Sequence, residues 1–302
     1  MNGKAVKIGV MAESLNADAR QAAQLARSMN FSGLLFNAYS PSFSIPDLSQ
    51  TGRREFRHTL QTQQIELIGL RGDLGAQGFG PKADIDRLLH QIDRAMEAAS
   101  GLAAPLLCLE LGPLAEPQRQ AKPKPTVTPE QAGLILLPTP AAAPEPSAPQ
   151  TPVDQPLLDS VNSALREVAV FADRYSVTVA FNTTLASFAA LEQILASARC
   201  SWFGIDLDPV AMLRDEWDMD EIFSRLGASI LHVRAHDALK GSDRRTKPAM
   251  IGTGNVDWAE LVSRLDQAGY RGWVTVDSVE VTDRVKAAAS GLAHLQKIAS
   301  VK

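Results

Sequence analysis

The feature that most limits what this chain can fold into is an alternation of short apolar runs with helical patterns along its whole length. The runs are KIGVMA (7–12), GLLFNA (33–38), IELIGL (65–70), PLLCLEL (105–111), VTVAFN (177–182), WFGIDLD (202–208), SILHVRA (229–235) and WVTVD (273–277). Nearly continuous hydrophobicity is what parallel strands covered on both faces require. Between them lie ARQAAQLARSM, EFRHTLQTQ, DIDRLLHQIDRAMEAASGL, LLDSVNSALREVAVFADRY and WAELVSRLDQAG, each with helical periodicity. Asp84 and Asp257 are placed to cap helices, and Gly101 and Gly269 to end them. Eight β-then-α units in 302 residues predict one α/β domain over 1–302, a (β/α)8 TIM barrel. A doubly wound open sheet is the competitor, but it has fewer strands and a Gly-rich first turn, where this chain has AESLNAD.

One segment breaks the rhythm. Residues 113–156 hold 12 of the 18 prolines and separate the fourth strand from its helix. Proline removes backbone donors, and this Pro/Ala-rich composition cannot build a core, so an extended or flexible insertion is expected. Doubling a loop's length adds only about 0.6 kcal/mol of closure entropy, which a barrel tolerates. GLILLP (133–138) is the one stretch within it expected to dock, and the insertion reads as a lid, a protein-binding arm or an inert insertion.

Charge and hydropathy exclude several classes. A net charge of −4 leaves no electrostatic footprint for nucleic acid or an anionic membrane. There is no apolar run of about 18 residues to span a bilayer, and the N-terminus reads directly as a first strand, not a signal peptide. Cys108 and Cys200 sit in or beside apolar runs and are expected as free thiols. A cytoplasmic location is the expectation.

In a (β/α)8 barrel the chemistry sits at the C-terminal ends of the strands. Read strand by strand, those ends carry Glu13, Asn37, Arg71, Glu110, Asn182, Asp208, Arg234 with His236, and Asp277. One such polar residue can be a helix cap or an ion-pair partner; eight in register point to a site. Asp206 lies on the same strand face as Asp208 and one layer deeper, so it needs a buried partner, and His232 is the candidate.

"VTVAFNTT", "FGIDLDPVAM", "ILHVRAHDA" and "IGTGNVDWAELVSRLDQAGYRGWVTVD" resemble the last four strand regions of the xylose isomerase-like TIM barrels. That superfamily includes sugar-phosphate isomerases and epimerases, related dehydratases and endonuclease IV. The resemblance implies a divalent metal held by a Glu ending strand five, an Asp ending strand six, a His ending strand seven and a Glu ending strand eight. A further His often follows the strand-six Asp by three residues. Here the Asp is present as Asp208, whereas the other positions fall on Asn182, Arg234, Asp277 and Ala211. A guanidinium about 5 Å from a divalent ion costs several kcal/mol even at an effective dielectric near 20. No metal ligand is therefore assigned and no cofactor is expected, with Mn, Zn or Mg as the ions the resemblance would allow. His236 is expected to carry no metal.

The sequence thus suggests a metal site converted to an ion-paired one, with Arg234 compensating Asp208 and Asp277. The implied activity is that of a divergent sugar (phosphate) isomerase or epimerase on a small carbohydrate-like molecule. Glu110 and Asp277 would move protons, Arg234 or His236 would stabilise charge, and Glu13, Asn37, Arg71 and Asn182 would bind substrate. The alternative is a non-catalytic descendant that binds a ligand or a protein. Endonuclease-like chemistry needs a His-rich multi-metal cluster and a basic surface, and the sequence has neither.

Overall fold

The computed structural model describes residues 6–40, 43–75, 78–112, 155–182, 188–242 and 245–300. Eight parallel strands close into a barrel in the order β1 (Lys7–Met11), β12 (Trp273–Val276), β9 (Ile230–Ala235), β8 (Phe203–Leu207), β7 (Thr178–Asn182), β6 (Leu106–Glu110), β5 (Glu66–Gly72) and β2 (Gly33–Asn37). All eight apolar runs are barrel strands. Two antiparallel hairpins that the patterning did not signal stand after β2 and β9: β3 (Tyr39–Ser40) with β4 (Phe43–Ser44), and β10 (Asp237–Lys240) with β11 (Thr246–Ala249). The chain is a TIM barrel. The insertion expected at 113–156, with GLILLP at 133–138, lies outside the described residues except at its end, where helix α4 (Gln155–Tyr175) already begins.

Two apolar shells hold the fold. One fills the space between strands and helices. Its members include Val10, Leu34, Leu70, Leu107, Phe181 and Val274 on the strands and Ala22, Ile92, Val168 and Leu261 on the helices. The other is inside the barrel and comprises Met11, Leu35, Ile68, Leu106, Cys108, Ala180 and Trp273. Trp273 closes the floor, and Gly33 makes room for it: a Cβ there would lie 2.7 Å from the indole ring. Glycine is required at that strand position by close approach.

The helix boundaries follow local chemistry. Asp84 caps α3 (Ile85–Leu102) by accepting the Arg87 N–H, and Asp257 caps α8 (Trp258–Gln267) by accepting that of Glu260. Gly269, at φ +72°, follows α8 as expected. Gly101 does not end α3; the helix continues to Leu102, and Ala103 takes the left-handed position at φ 56°. Gly101 instead lies against Arg53, where a Cβ would meet Nη1 at 2.9 Å. Among the described residues, no helix is long and apolar enough to cross a membrane.

Candidate functional site

Side chains two apart on a strand share a face. Met11, Leu35, Cys108 and Ala180 point into the barrel, and a step of two toward the mouth reaches Glu13, Asn37, Glu110 and Asn182. The same step from the buried Asp206, His232 and Thr275 reaches Asp208, Arg234 and Asp277. Arg71 enters from β5. The strand-end residues therefore form one polar ring above an inner layer.

One side of that ring is occupied by its own ion pairs. Arg234 Nε donates to Asp277 Oδ2 at 2.8 Å, and its Nη1 lies 3.7 Å from Asp208 Oδ2. Arg71 Nη1 reaches the same Asp277 oxygen at 3.2 Å. Asp208 also caps the helix α6 (Pro209–Asp215), accepting the N–H groups of Val210 and Ala211, and its Oδ1 lies 2.7 Å from His236 Nε2. His236 thus has a carboxylate partner that sequence reasoning missed. Burial alone would raise the Asp277 carboxyl; the Arg234 and Arg71 guanidiniums override it and hold that group well below the usual carboxylate range.

The other side of the ring is less engaged. Glu13 Oε1 accepts the Asn37 N–H at 3.2 Å, while Oε2 is buried with no hydrogen-bond partner among the described residues. Arg71 Nη2 is likewise buried without a hydrogen bond there, 3.8 Å from Asp206 Oδ2. Burial raises the carboxyls of Glu13 and Glu110; backbone hydrogen bonds moderate the first, and the Arg71 and Arg234 charges the second. Glu13 and Asn37 also line a cleft of about 690 Å³, with Phe36, Phe43, Arg20 and Arg284 among its other walls. That volume falls in the range of small-molecule sites.

The inner layer answers what Asp206 does. His232 Nδ1 lies 2.6 Å from Asp206 Oδ1, as the sequence suggested, and His232 Nε2 lies 2.7 Å from Thr275 Oγ1. Asn182 Nδ2 donates to Asp206 Oδ2 at 3.1 Å. Burial would raise Asp206, but the His232, Arg71 and Arg234 charges keep it below its ordinary value. Cys108 joins this layer unexpectedly, a buried free thiol pushed up by burial. Its signal was its place two residues before Glu110.

Two positions bear on a metal. At the strand ends the Arg234 guanidinium lies between Asp208 and Asp277, where the resemblance would put an ion. Deeper in the barrel, ligand atoms of Cys108, Asp206 and His232 lie within 4.8 Å of one another, a set that could hold a metal. An ion there would have to displace the Asp206–His232 hydrogen bond, since ligands about 2.1 Å from one ion stand farther apart than 2.6 Å.

Asp237 was passed over at the sequence level and organises the loop after β9. Its carboxylate accepts N–H groups of Gly252 (2.9 Å), Gly254 (3.2 Å) and Val256 (3.2 Å), and the Trp258 indole N–H (3.2 Å). The GTGNVDW stretch (252–258) is therefore a backbone cradle for one buried carboxylate. Gly254 is needed for close approach, as a Cβ there would come within 2.1 Å of Asp237 Oδ1.

A closed parallel barrel with a charged ring at its C-terminal mouth defines a TIM-barrel protein. The family described as Xylose isomerase-like TIM barrel matches residues 23–298, and the chain belongs to it. An uncharacterized protein of Methanocaldococcus jannaschii is 25% identical over 140 residues, 43% of this chain and 46% of that protein, so the match spans about half of each. The xylose isomerase domain protein of Planctomyces limnophilus superposes with a TM-score of 0.70 at 16% identity, covering 97% of this chain and 96% of the other. D-psicose 3-epimerase of Clostridium cellulolyticum, solved with D-tagatose, gives 0.68 at 14%, covering 97% and 99%. At these identities the structural likeness speaks for the fold.

Proposed function

We propose that this protein binds a small carbohydrate-like molecule at the C-terminal mouth of its barrel, as a divergent sugar (phosphate) isomerase or epimerase whose strand-end metal position has passed to Arg234. The observation that carries the reading is the Arg234 guanidinium set between Asp208 and Asp277. Positive charge is retained where an enediolate would develop, but as fixed hydrogen-bond donors. In this reading Glu110 is the group able to exchange a proton with substrate, because burial keeps its carboxyl raised. Asp277 was the other proton-transfer candidate. Clamped by two guanidiniums, it is a weak base and serves to hold Arg71 and Arg234 in place. His236, against Asp208, and Asn182, against Asp206, complete the polar wall.

A non-catalytic descendant is the second reading, favoured by the same Asp277 clamp, which removes one of the two carboxylates that proton transfer would use. One experiment separates them. Free and phosphorylated ketoses are incubated with the protein in D2O and followed by NMR. Deuterium uptake at the carbon beside the carbonyl supports the enzyme. Binding seen by saturation transfer without uptake supports the binding protein. Absence of both across the panel refutes a carbohydrate function.

A further inference from the structure

Beside the mouth, between the segments that follow β1 and β12, lies the cleft of about 690 Å³ whose walls include Glu13, Asn16, Asp18, Arg20 and Arg284. A second recess of about 480 Å³ shares Asn16 and Arg284 with it. We propose that this cleft is an anion subsite in which Arg20 and Arg284 receive a phosphoryl group, so that the ligand of the barrel is phosphorylated. The subsite stands on the cleft itself; that its phosphoryl group belongs to a sugar rests on the carbohydrate reading above.

The charges on the walls decide what the cleft can take. Arg20 and Arg284 have no carboxylate partner among the described residues, whereas the arginines of the mouth, Arg71 and Arg234, are both held by Asp277. The carboxylates nearby are committed or weakened. Asp18 Oδ1 caps helix α1 (Ala19–Ser28), accepting the N–H groups of Arg20 at 2.9 Å and Gln21 at 2.8 Å. Asp283 Oδ1, on the second recess, accepts the Lys286 N–H at 3.2 Å where α9 (Arg284–Ser300) begins. Each of these two carboxylates sits at the positive end of a helix, which offsets its charge. Burial raises the Glu13 carboxyl, which disfavours its charged form. The two guanidiniums are therefore the uncompensated charges of the cleft, and their forked N–H donors match phosphoryl oxygens. Position agrees with charge. Many (β/α)8 barrels take phosphate on the loops after the seventh and eighth strands, and Arg284 comes directly after the eighth, β12. Glu13 joins the cleft to the mouth. Its Oε1 holds the Asn37 N–H, and its buried Oε2 has no hydrogen-bond partner among the described residues. A hydroxyl on the molecule that carries the phosphoryl group would complete that acceptor.

The test is calorimetric titration of the full chain, at constant ionic strength, with inorganic phosphate and with ketopentoses and ketohexoses, each free and as its phosphate ester. A bound ester should exceed its free sugar in affinity by at least about tenfold, the scale of a charge-assisted hydrogen bond, and inorganic phosphate should compete with it. Arg20→Gln and Arg284→Gln should each weaken the ester and inorganic phosphate about tenfold and leave the free sugar unchanged. Thermal melts without ligand establish that both variants are folded. Free sugars and esters that bind alike overturn the subsite while leaving the carbohydrate reading intact. A preference for the ester that survives both substitutions puts the anion elsewhere and overturns the subsite too. Inorganic phosphate that binds and depends on both arginines, with no sugar or ester bound, supports the subsite and overturns its link to a carbohydrate. No binding of phosphate or of any ester overturns the subsite, whatever the free sugars do.

Discussion

Replacing Arg234 with alanine tests the ion-paired site most directly. The side chain is 12% exposed, and its two carboxylate partners are 4% and 0% exposed, so solvent does little to screen the pairing. Breaking a buried pair by removing one partner costs about 3–5 kcal/mol, because a charge is left buried without compensation. Two contacts survive here, Arg71 on Asp277 and His236 on Asp208, which puts the expected loss at the low end, about 3 kcal/mol. With an unfolding entropy near 2.1 cal/mol/K per residue, that lowers Tm by about 5 °C. The assay is urea unfolding followed by tryptophan fluorescence, at pH 7 and again near pH 3, below the ordinary aspartate pKa of about 3.9. Asp277 has a folded pKa held below its unfolded value, so its contribution is present above the unfolded pKa and is lost as pH falls through the folded one. Without Arg234 the folded carboxyl rises, so the variant loses less to acid than the parent and the gap between them narrows as pH falls. In an Asp277→Asn background the same Arg234 change should cost at least about 1.5 kcal/mol less. A loss under about 1 kcal/mol at pH 7, unchanged in that background, would refute the pairing as the reason Arg234 is there.

Three further outcomes are expected. Arg234→His with Asn182→Glu and Asp277→Glu should create Mn²⁺ or Zn²⁺ binding measurable by calorimetry, tightening with rising pH as the imidazole deprotonates; no gain over the parent would show that these strand ends do not converge on one ion. Replacing residues 115–152 with a short Gly/Ser linker should leave a single cooperative unfolding transition, since the eight strands of the described residues already close the barrel, and recovery of aggregated protein alone would place GLILLP in the core. Gly254→Ala should destabilise by about 2 kcal/mol, because its Cβ has no room beside Asp237; a melt unchanged from the parent would mean that the cradle relaxes freely.

What the sequence determined by itself is whatever a period of two or 3.6 carries. The apolar runs marked all eight barrel strands, and the alternation within WFGIDLD placed Asp206 and Asp208 on one face and in successive layers. The same reasoning on ILHVRA paired His232 with Asp206 and set Arg234 above it, because neighbouring parallel strands transmit local periodicity sideways. The hairpins β3–β4 and β10–β11 escaped notice, being strands of only two and four residues whose composition is that of loops. Asp237 escaped because its carboxylate is satisfied by N–H groups 15 to 19 residues on and by a Trp258 indole, and no spacing rule announces that. Barrel closure decided the rest. Arg71 meets Asp277 across 206 residues, and Cys108 comes beside Asp206 from a strand two places away and beside His232 from one three places away. Which strand-end groups neutralise one another and which keep an open hydrogen-bonding atom depends on the stagger of strands around a closed ring. That is a property of the whole sheet, and no single strand encodes it.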